Sequence, residues 1–316
     1  MKMKKVLLTV VAGAMMFTAV GFGGTAAHAA TTPKQVEVLL NTVKMKFPDA
    51  KPFQDGQGSV MVPIRFVSEA LGAKVTYSKT DKVSKVGIKS KDHMVDMTIG
   101  QTAAIVDGQK KDYGTQIILK ENRTFVPLRL VSEGLGQKVE WDKIGRWVWI
   151  GSREFRSTDD KQFKLLPLSD FKAYSKSDFT FMTIKDQKYT GIKVIKTSDL
   201  PIKLQDGQII YSIEMKNKNE EEFLVIRSSQ RGTPIDLLIK GDFAKGRNHI
   251  DSMFINNGDK TGTGFYPVLS RSDKFQNGDY IQNYDWTKFR IKNADYIMIQ
   301  DGDLQEYGVA LVNPFK

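Results

Sequence analysis

The chain has 316 residues, of which 41% are hydrophobic and 26% charged, with a net charge of +11. That length leaves room for two or three domains, and the ordinary composition argues against wholesale disorder, a collagen-like repeat or a multi-span membrane protein. The lack of cysteine excludes disulfide scaffolds, cysteine zinc sites and thiol catalysis, and three histidines leave little imidazole for metal chemistry.

The N-terminus reads as a secretory signal. Lys2, Lys4 and Lys5 form a positive start, Val6 to Val20 is an uncharged apolar run, and Ala27-His28-Ala29 fits a small-x-small cleavage site. The mature chain is expected to begin near Ala30 and to be secreted, with a cell-wall association. It would keep His93 and His249 and a net charge of +8, of which +6 falls in residues 31–155 and +2 in 156–316. A modest positive field outside the cell suits an anionic envelope partner, and solubility alone is an equally good reading.

An internal repeat follows. Val62-Pro63-Ile64-Arg65-Phe66-Val67-Ser68-Glu69-Ala70-Leu71-Gly72-Ala73-Lys74-Val75 recurs 64 residues later as Val126 to Val139, with ten of fourteen positions identical. Pro63 and Pro127 suit a first helical turn. Gly72 and Gly136 suit the left-handed position after a helix end. Val67 and Leu71, and Val131 and Leu135, make an apolar stripe on about two turns of helix. Arg65 and Glu69, and Arg129 and Glu133, stand four apart, a spacing for surface ion pairs worth only ~0.3–0.5 kcal/mol each. They read as structural residues.

Strands are expected at Lys74 to Tyr77, Lys85 to Lys89, Lys138 to Trp141 and Arg146 to Ile150, from their period-two alternation. Ile105 to Gln109 is a hairpin with an Asp-Gly turn, and Leu39 to Val43 is its weaker counterpart. Each copy is thus expected to be a small antiparallel sheet on one helix, with repeats at about 34–99 and 100–152.

The pattern Val-Pro-x-Arg-x-Val-x-Glu-x-Leu-Gly-x-x-Val followed by Trp141-Asp142 resembles the copper amine oxidase N-terminal-like, or stalk, domain. Copy one carries Tyr77-Ser78 in place of Trp-Asp. The resemblance covers roughly 34–152 and implies a non-catalytic sheet-and-helix module of secreted and envelope-associated bacterial proteins. Asn283-Tyr284-Asp285 matches the short core around the tyrosine that the oxidases convert to topaquinone. That conversion needs copper on three histidines, which a mature chain with two cannot supply, and residues 156–316 are far fewer than the catalytic domain needs. No amine oxidase activity, cofactor or metal site is therefore expected.

Beyond the polar stretch Arg153 to Lys161, residues 160–316 read as an all-β, sandwich-like domain of about eight short strands. These are expected at Phe179 to Ile184, Gly191 to Ile195, Gln208 to Glu214, Glu222 to Ile226, Pro234 to Ile239, Trp286 to Ile291, Tyr296 to Gln300 and Val309 to Val312, with a loop at Lys216 to Asn219. The fold class as a whole is α+β. His249 and Asp251 could begin a metal site but lack a third ligand. Asp301-Gly302-Asp303 reads as a turn better than as a calcium loop. The glycine-rich run Thr261 to Gly264 is not flanked as a phosphate loop would be.

Two surface features are candidates for binding. Trp147 and Trp149 share one side of their strand and would make a platform for sugars or proteins if exposed, or would be buried against the second half. Lys85 and Lys89 share the outer face of copy one, near Lys79, Lys82 and Lys91, and could meet a polyanion such as teichoic acid. Together these features describe a non-enzymatic envelope protein whose stalk module positions a β-rich binding domain, with an anionic wall polymer or another envelope protein as partner. Nucleic acid and membrane are not expected partners after signal cleavage. The alternatives are a wall glycan or peptide hydrolase with acidic catalysts in the second domain, and a diffusible ligand-binding protein.

Overall fold

Apolar Val62 and Val126 occupy the same place in the two repeats, and they face each other as partners in one antiparallel ladder. Met61 opposes Pro127 and Pro63 opposes Phe125, so the register is symmetric about that pair. The resulting sheet runs Ile118–Lys120, Arg123–Pro127, Val60–Pro63, Phe53–Gln54. From it spring two helices, α1 (Ile64–Ala70) and α2 (Leu128–Gly134). Pro63 and Pro127 occupy the N-cap, one residue ahead of the expected first turn.

The computed structural model describes residues 35–316 except 81, 177–181, 185–186, 277–278 and 301–305. The signal segment, the first half of the expected strand Phe179 to Ile184, and Asp301 to Asp303 lie outside the described residues. Residues 35–316 make one compact unit, mostly β and built from several sheets. Among the described residues no helix is long and apolar enough to cross a membrane.

Each helix ends on its glycine. Gly72 and Gly136 take φ +74° and +73°, and the amides of Gly72 and Ala73 close back on Glu69 and Ser68, the pattern that stops a helix with a left-handed residue. Gly136 carries a second constraint, because a Cβ there would meet His93 Nε2 at 2.8 Å.

The two copies do not close separate sheets, which corrects the expected arrangement. Glu37–Leu40, ahead of copy one, lies parallel to Trp147–Ile150 at the end of copy two. The four-stranded sheet so formed runs Val139–Asp142, Trp147–Ile150, Glu37–Leu40, Val43–Lys44. Copy one continues instead as a five-stranded meander of Lys74–Lys79, Ser84–Lys89, Met94–Thr98, Ala103–Val106 and Gln109–Asp112. One apolar core unites Val62, Ile64, Val67, Val126, Leu128 and Val131 with residues of both outer sheets. A strand as short as Val60–Pro63 cannot bury a face alone, and pairing with its counterpart solves this for both copies.

The second half holds two larger sheets. A six-stranded one runs Leu165–Leu166, Ile192–Ile195, Gly308–Val312, Tyr296–Ile299, Ile235–Leu238, Lys245–Arg247, with Ile192–Ile195 and Gly308–Val312 parallel. An antiparallel five-stranded one runs Ile202–Lys203, Ile209–Lys218, Glu221–Ser228, Gly262–Pro267, Ile255–Asn256. Ile195, Ile235, Leu237, Ile297 and Leu311 of the first share a core with Ile210, Leu224, Ile226 and Tyr266 of the second.

Two local expectations change, and the glycine-rich run finds its place. The loop at Lys216 to Asn219 shrinks to a two-residue turn, Asn219-Glu220, both at positive φ. Such turns match the strand twist of a hairpin. Trp286 to Ile291 is not a strand: Asp285 caps a 3₁₀ turn at Trp286–Lys288 by accepting from Thr287 N at 3.2 Å. The glycine-rich run belongs to the strand Gly262–Pro267, where the Phe254 ring lies 2.2 Å from where a Gly262 Cβ would stand.

Candidate functional site: a cationic cleft and its sealed counterpart

The two copies present equivalent outer faces with opposite fates. In copy one Val75 pairs with Ile88, Thr76 with Gly87, Tyr77 with Val86 and Ser78 with Lys85. In copy two Val139 pairs with Ile150, Glu140 with Trp149, Trp141 with Val148 and Asp142 with Trp147. By register, Lys85 therefore occupies the place of Trp147, and Gly87 that of Trp149. Beside Trp149 stands Leu39, and beside Gly87 stands Asp96 with Ile105 one strand further out.

The copy-two face is sealed. Leu39, Trp147 and Trp149 are buried and pack on Phe155 and Tyr211. The Trp147 and Tyr211 ring centroids are 6.4 Å apart, and Trp149 meets Phe155 edge-on at 5.9 Å. Of the two readings of these indoles, burial holds and the exposed platform does not: Tyr211 on the strand Ile209–Lys218 lies against Trp147, and Phe155, itself packed on Tyr211, covers Trp149.

The same closure uses the Trp-Asp motif. Asp142 is buried and accepts from Ile144 N and Gly145 N, both at 2.9 Å. Its other oxygen accepts from Arg227 Nη1 of the second half at 2.6 Å. Arg227 also donates to Asp259 at 2.7 Å and to Thr261 Oγ1 at 3.1 Å, with its guanidinium 4.9 Å from the Tyr211 centroid. Burial pushes the Asp259 carboxyl up, but the Thr261 hydroxyl and Arg227 outweigh it and hold the group below its ordinary range. Trp141 remains at the surface, with Arg146 6.0 Å from its ring centroid.

The copy-one face is open. Ile105 on it is 47% exposed, and Lys85 and Lys89 are exposed on the same side, with Lys74 opposite Lys89. Around the end of this sheet, on the side of α1, a cleft of about 510 Å³ opens between α1, the strand ends Lys79 and Ser84, and the strand Arg123–Pro127, and Lys85 reaches it from the outer face. Arg65, Lys79, Lys85 and Arg123 line it, above a floor that includes Ile64, Phe66 and Tyr77.

The charges in this cleft are unequal in kind. Arg123 is held by Asp49, donating from Nε at 3.1 Å and from Nη2 at 2.5 Å. Its guanidinium holds the Asp49 carboxyl below the usual range. Arg65, Lys79 and Lys85 have no acidic partner among the described residues. The expected ion pair on the helix forms only in copy two, between Arg129 Nε and Glu133 at 3.2 Å. Its absence between Arg65 and Glu69 leaves Arg65 available to the cleft. Lys89 lies outside it, about 13 Å along the strand from Lys85 at ~3.3 Å per residue.

The two histidines among the described residues are committed separately. His93 Nδ1 lies 2.8 Å from Asp107, and His249 Nε2 lies 3.1 Å from Asp251, which also accepts from Arg231 at 2.6 Å. Tyr284 of the topaquinone-like tripeptide sits under Lys245, 4.8 Å from its ring centroid, and Asp285 serves as a turn cap. Neither side chain is joined by imidazole in these contacts. Among the described residues no three His, Cys, Asp or Glu side chains group as metal ligands.

Residues 39–150 match the family model of the copper amine oxidase N-terminal domain. That segment contains the whole cleft and the whole sealed face up to Ile150. No curated protein matches the chain.

Proposed function

We propose that this chain is a secreted, non-catalytic cell-envelope protein whose first half grips an anionic wall polymer through the copy-one cleft and presents the second half at the cell surface. The single observation that carries the reading is the contrast between equivalent faces. One is apolar and covered; the other is open, with Arg65, Lys79 and Lys85 beside it and without an acidic partner among the described residues. Natural proteins use lysines to keep exposed sheets from pairing, but that role needs no cleft and no arginine on a neighbouring helix. Clustered cations in a concave site focus potential on a polyanion. The family match supports a module without chemistry of its own, and the two facing sheets of the second half support a β-sandwich as the displayed part.

Cosedimentation of the mature chain, from Ala30, with purified walls tests this. Binding is expected to fall steeply as salt shortens the screening length from about 10 Å at 0.1 M to about 3 Å at 1 M. Walls stripped of teichoic acid are expected to bind little. Salt-resistant binding, or equal binding to stripped walls, would refute the electrostatic grip.

A further inference from the structure

A second cleft, of about 400 Å³, lies in the second half and is lined differently. One rim is the Asn219-Glu220 turn and the strand beyond it, carrying Glu220, Glu221 and Glu222. The other carries Arg271, Trp286 and Arg290. The size falls within the ~300–1,000 Å³ of ligand pockets.

The rims are fixed to the body of the domain. Val268 N donates to Glu222 O at 2.9 Å, and Phe223 pairs with Pro267, which tie the acidic rim to the neighbouring strand. On the other side, Phe289 is buried in the core next to the turn that bears Trp286. Arg290 Nη1 donates to Thr287 O at 2.6 Å and to Phe289 O at 2.7 Å, which pins the guanidinium against that turn. Among the described residues neither arginine nor any of the three glutamates forms an ion pair.

This lining selects by chemistry. Carboxylates accept hydrogen bonds and guanidinium groups donate them. Their near balance of charge gives a polyanion no advantage, unlike the cleft of the first half. A ligand that donates and accepts at many points, carries no net charge, and offers a flat C–H face to an indole matches all three features. We infer that this cleft is a saccharide-binding site for a neutral glycan, with Trp286 as the stacking platform and the Glu and Arg rims reading hydroxyl groups. The sugar platform sought at Trp147 and Trp149 is thereby reassigned to Trp286.

Isothermal titration of the mature chain with a tetramer of N-acetylglucosamine tests the assignment. Saturable binding is expected, weakened about tenfold or more by Trp286→Ala, the order of effect of deleting one stacked aromatic contact. Trp286→Phe is expected to retain most of the affinity. Arg271→Ala, on an exposed turn, is expected to weaken binding without altering the thermal midpoint, and so guards against a Trp286→Ala variant that fails to fold. Removal of Arg65, Lys79 and Lys85 is expected to leave this titration unchanged, which separates it from wall attachment. No saturable heat with the tetramer, parent-like affinity in both Trp286→Ala and Arg271→Ala, or binding of tri-alanine in its place would overturn the saccharide assignment.

Discussion

Arg227→Met is expected to destabilise the protein by about 3–5 kcal/mol, the usual cost of breaking a buried ion pair by removing one partner. Arg227 and Asp142 are both buried, and Asp142 would be left with Oδ2 facing the apolar seam of Trp147 and Tyr211. The Asp142 carboxylate cannot turn to water, since its other oxygen is held by two backbone amides. The double variant Arg227→Met/Asp142→Leu is expected to recover much of the loss, because it removes the orphaned charge along with its partner. Urea unfolding of the three proteins measures both effects. A loss below about 1 kcal/mol for the single variant, in the range of exposed pairs, would show that the seam is open to solvent.

Substituting Arg65, Lys79 and Lys85 together by alanine is expected to weaken binding to purified teichoic acid about 100-fold. A cation facing an anionic surface contributes about 1 kcal/mol, and ~3 kcal/mol corresponds to roughly two decades in affinity. The side chains are exposed, so stability should change little. Lys161, Lys164 and Lys292 are exposed in the second half and form no ion pair among the described residues. Their triple alanine variant has the same net charge and is expected to bind almost as tightly as the parent. Equal losses in both triples would reduce the interaction to bulk charge.

What was legible in the sequence was local. The helix stripes at Val67–Leu71 and Val131–Leu135, the terminating glycines and the Asp107-Gly108 hairpin each follow from backbone geometry within a few residues. Strand partners were not legible in this way. Nothing local in Glu37–Leu40 says that it lies parallel to Trp147–Ile150, because alternation identifies two faces of a strand but not its neighbour.

Nor does alternation say what covers a face. Trp147 and Trp149 share a side in either reading, and only the placement of Tyr211 decides between platform and seam. A signal was nevertheless present in the repeat. Aligned by strand register, tryptophans in copy two stand against a lysine and a glycine in copy one, and Leu39 stands against Asp96. Tyr77-Ser78 in place of Trp141-Asp142 is part of the same divergence: the aspartate that receives Arg227 is missing where no second half docks.

In the second half the glycines had no legible role. Gly262 and Gly264 sit in a strand where the Phe254, His249 and Tyr266 side chains occupy the space of their Cβ atoms. The apolar spacing from Trp286 to Ile291 looked like a strand, although Asp285 two residues before Thr287 is a turn signal in its own right. That turn is what brings Trp286 to the rim of the glycan cleft.

An anionic polymer seated in the copy-one cleft shields its lysines from acetylation, and footprinting measures that shielding residue by residue. The mature chain would be acetylated with and without saturating teichoic acid, and each lysine followed by mass spectrometry. Strong protection of Lys79 and Lys85, with Lys161, Lys164 and Lys292 unchanged, is the predicted result. Uniform protection of all five, or protection confined to the second half, would contradict the account.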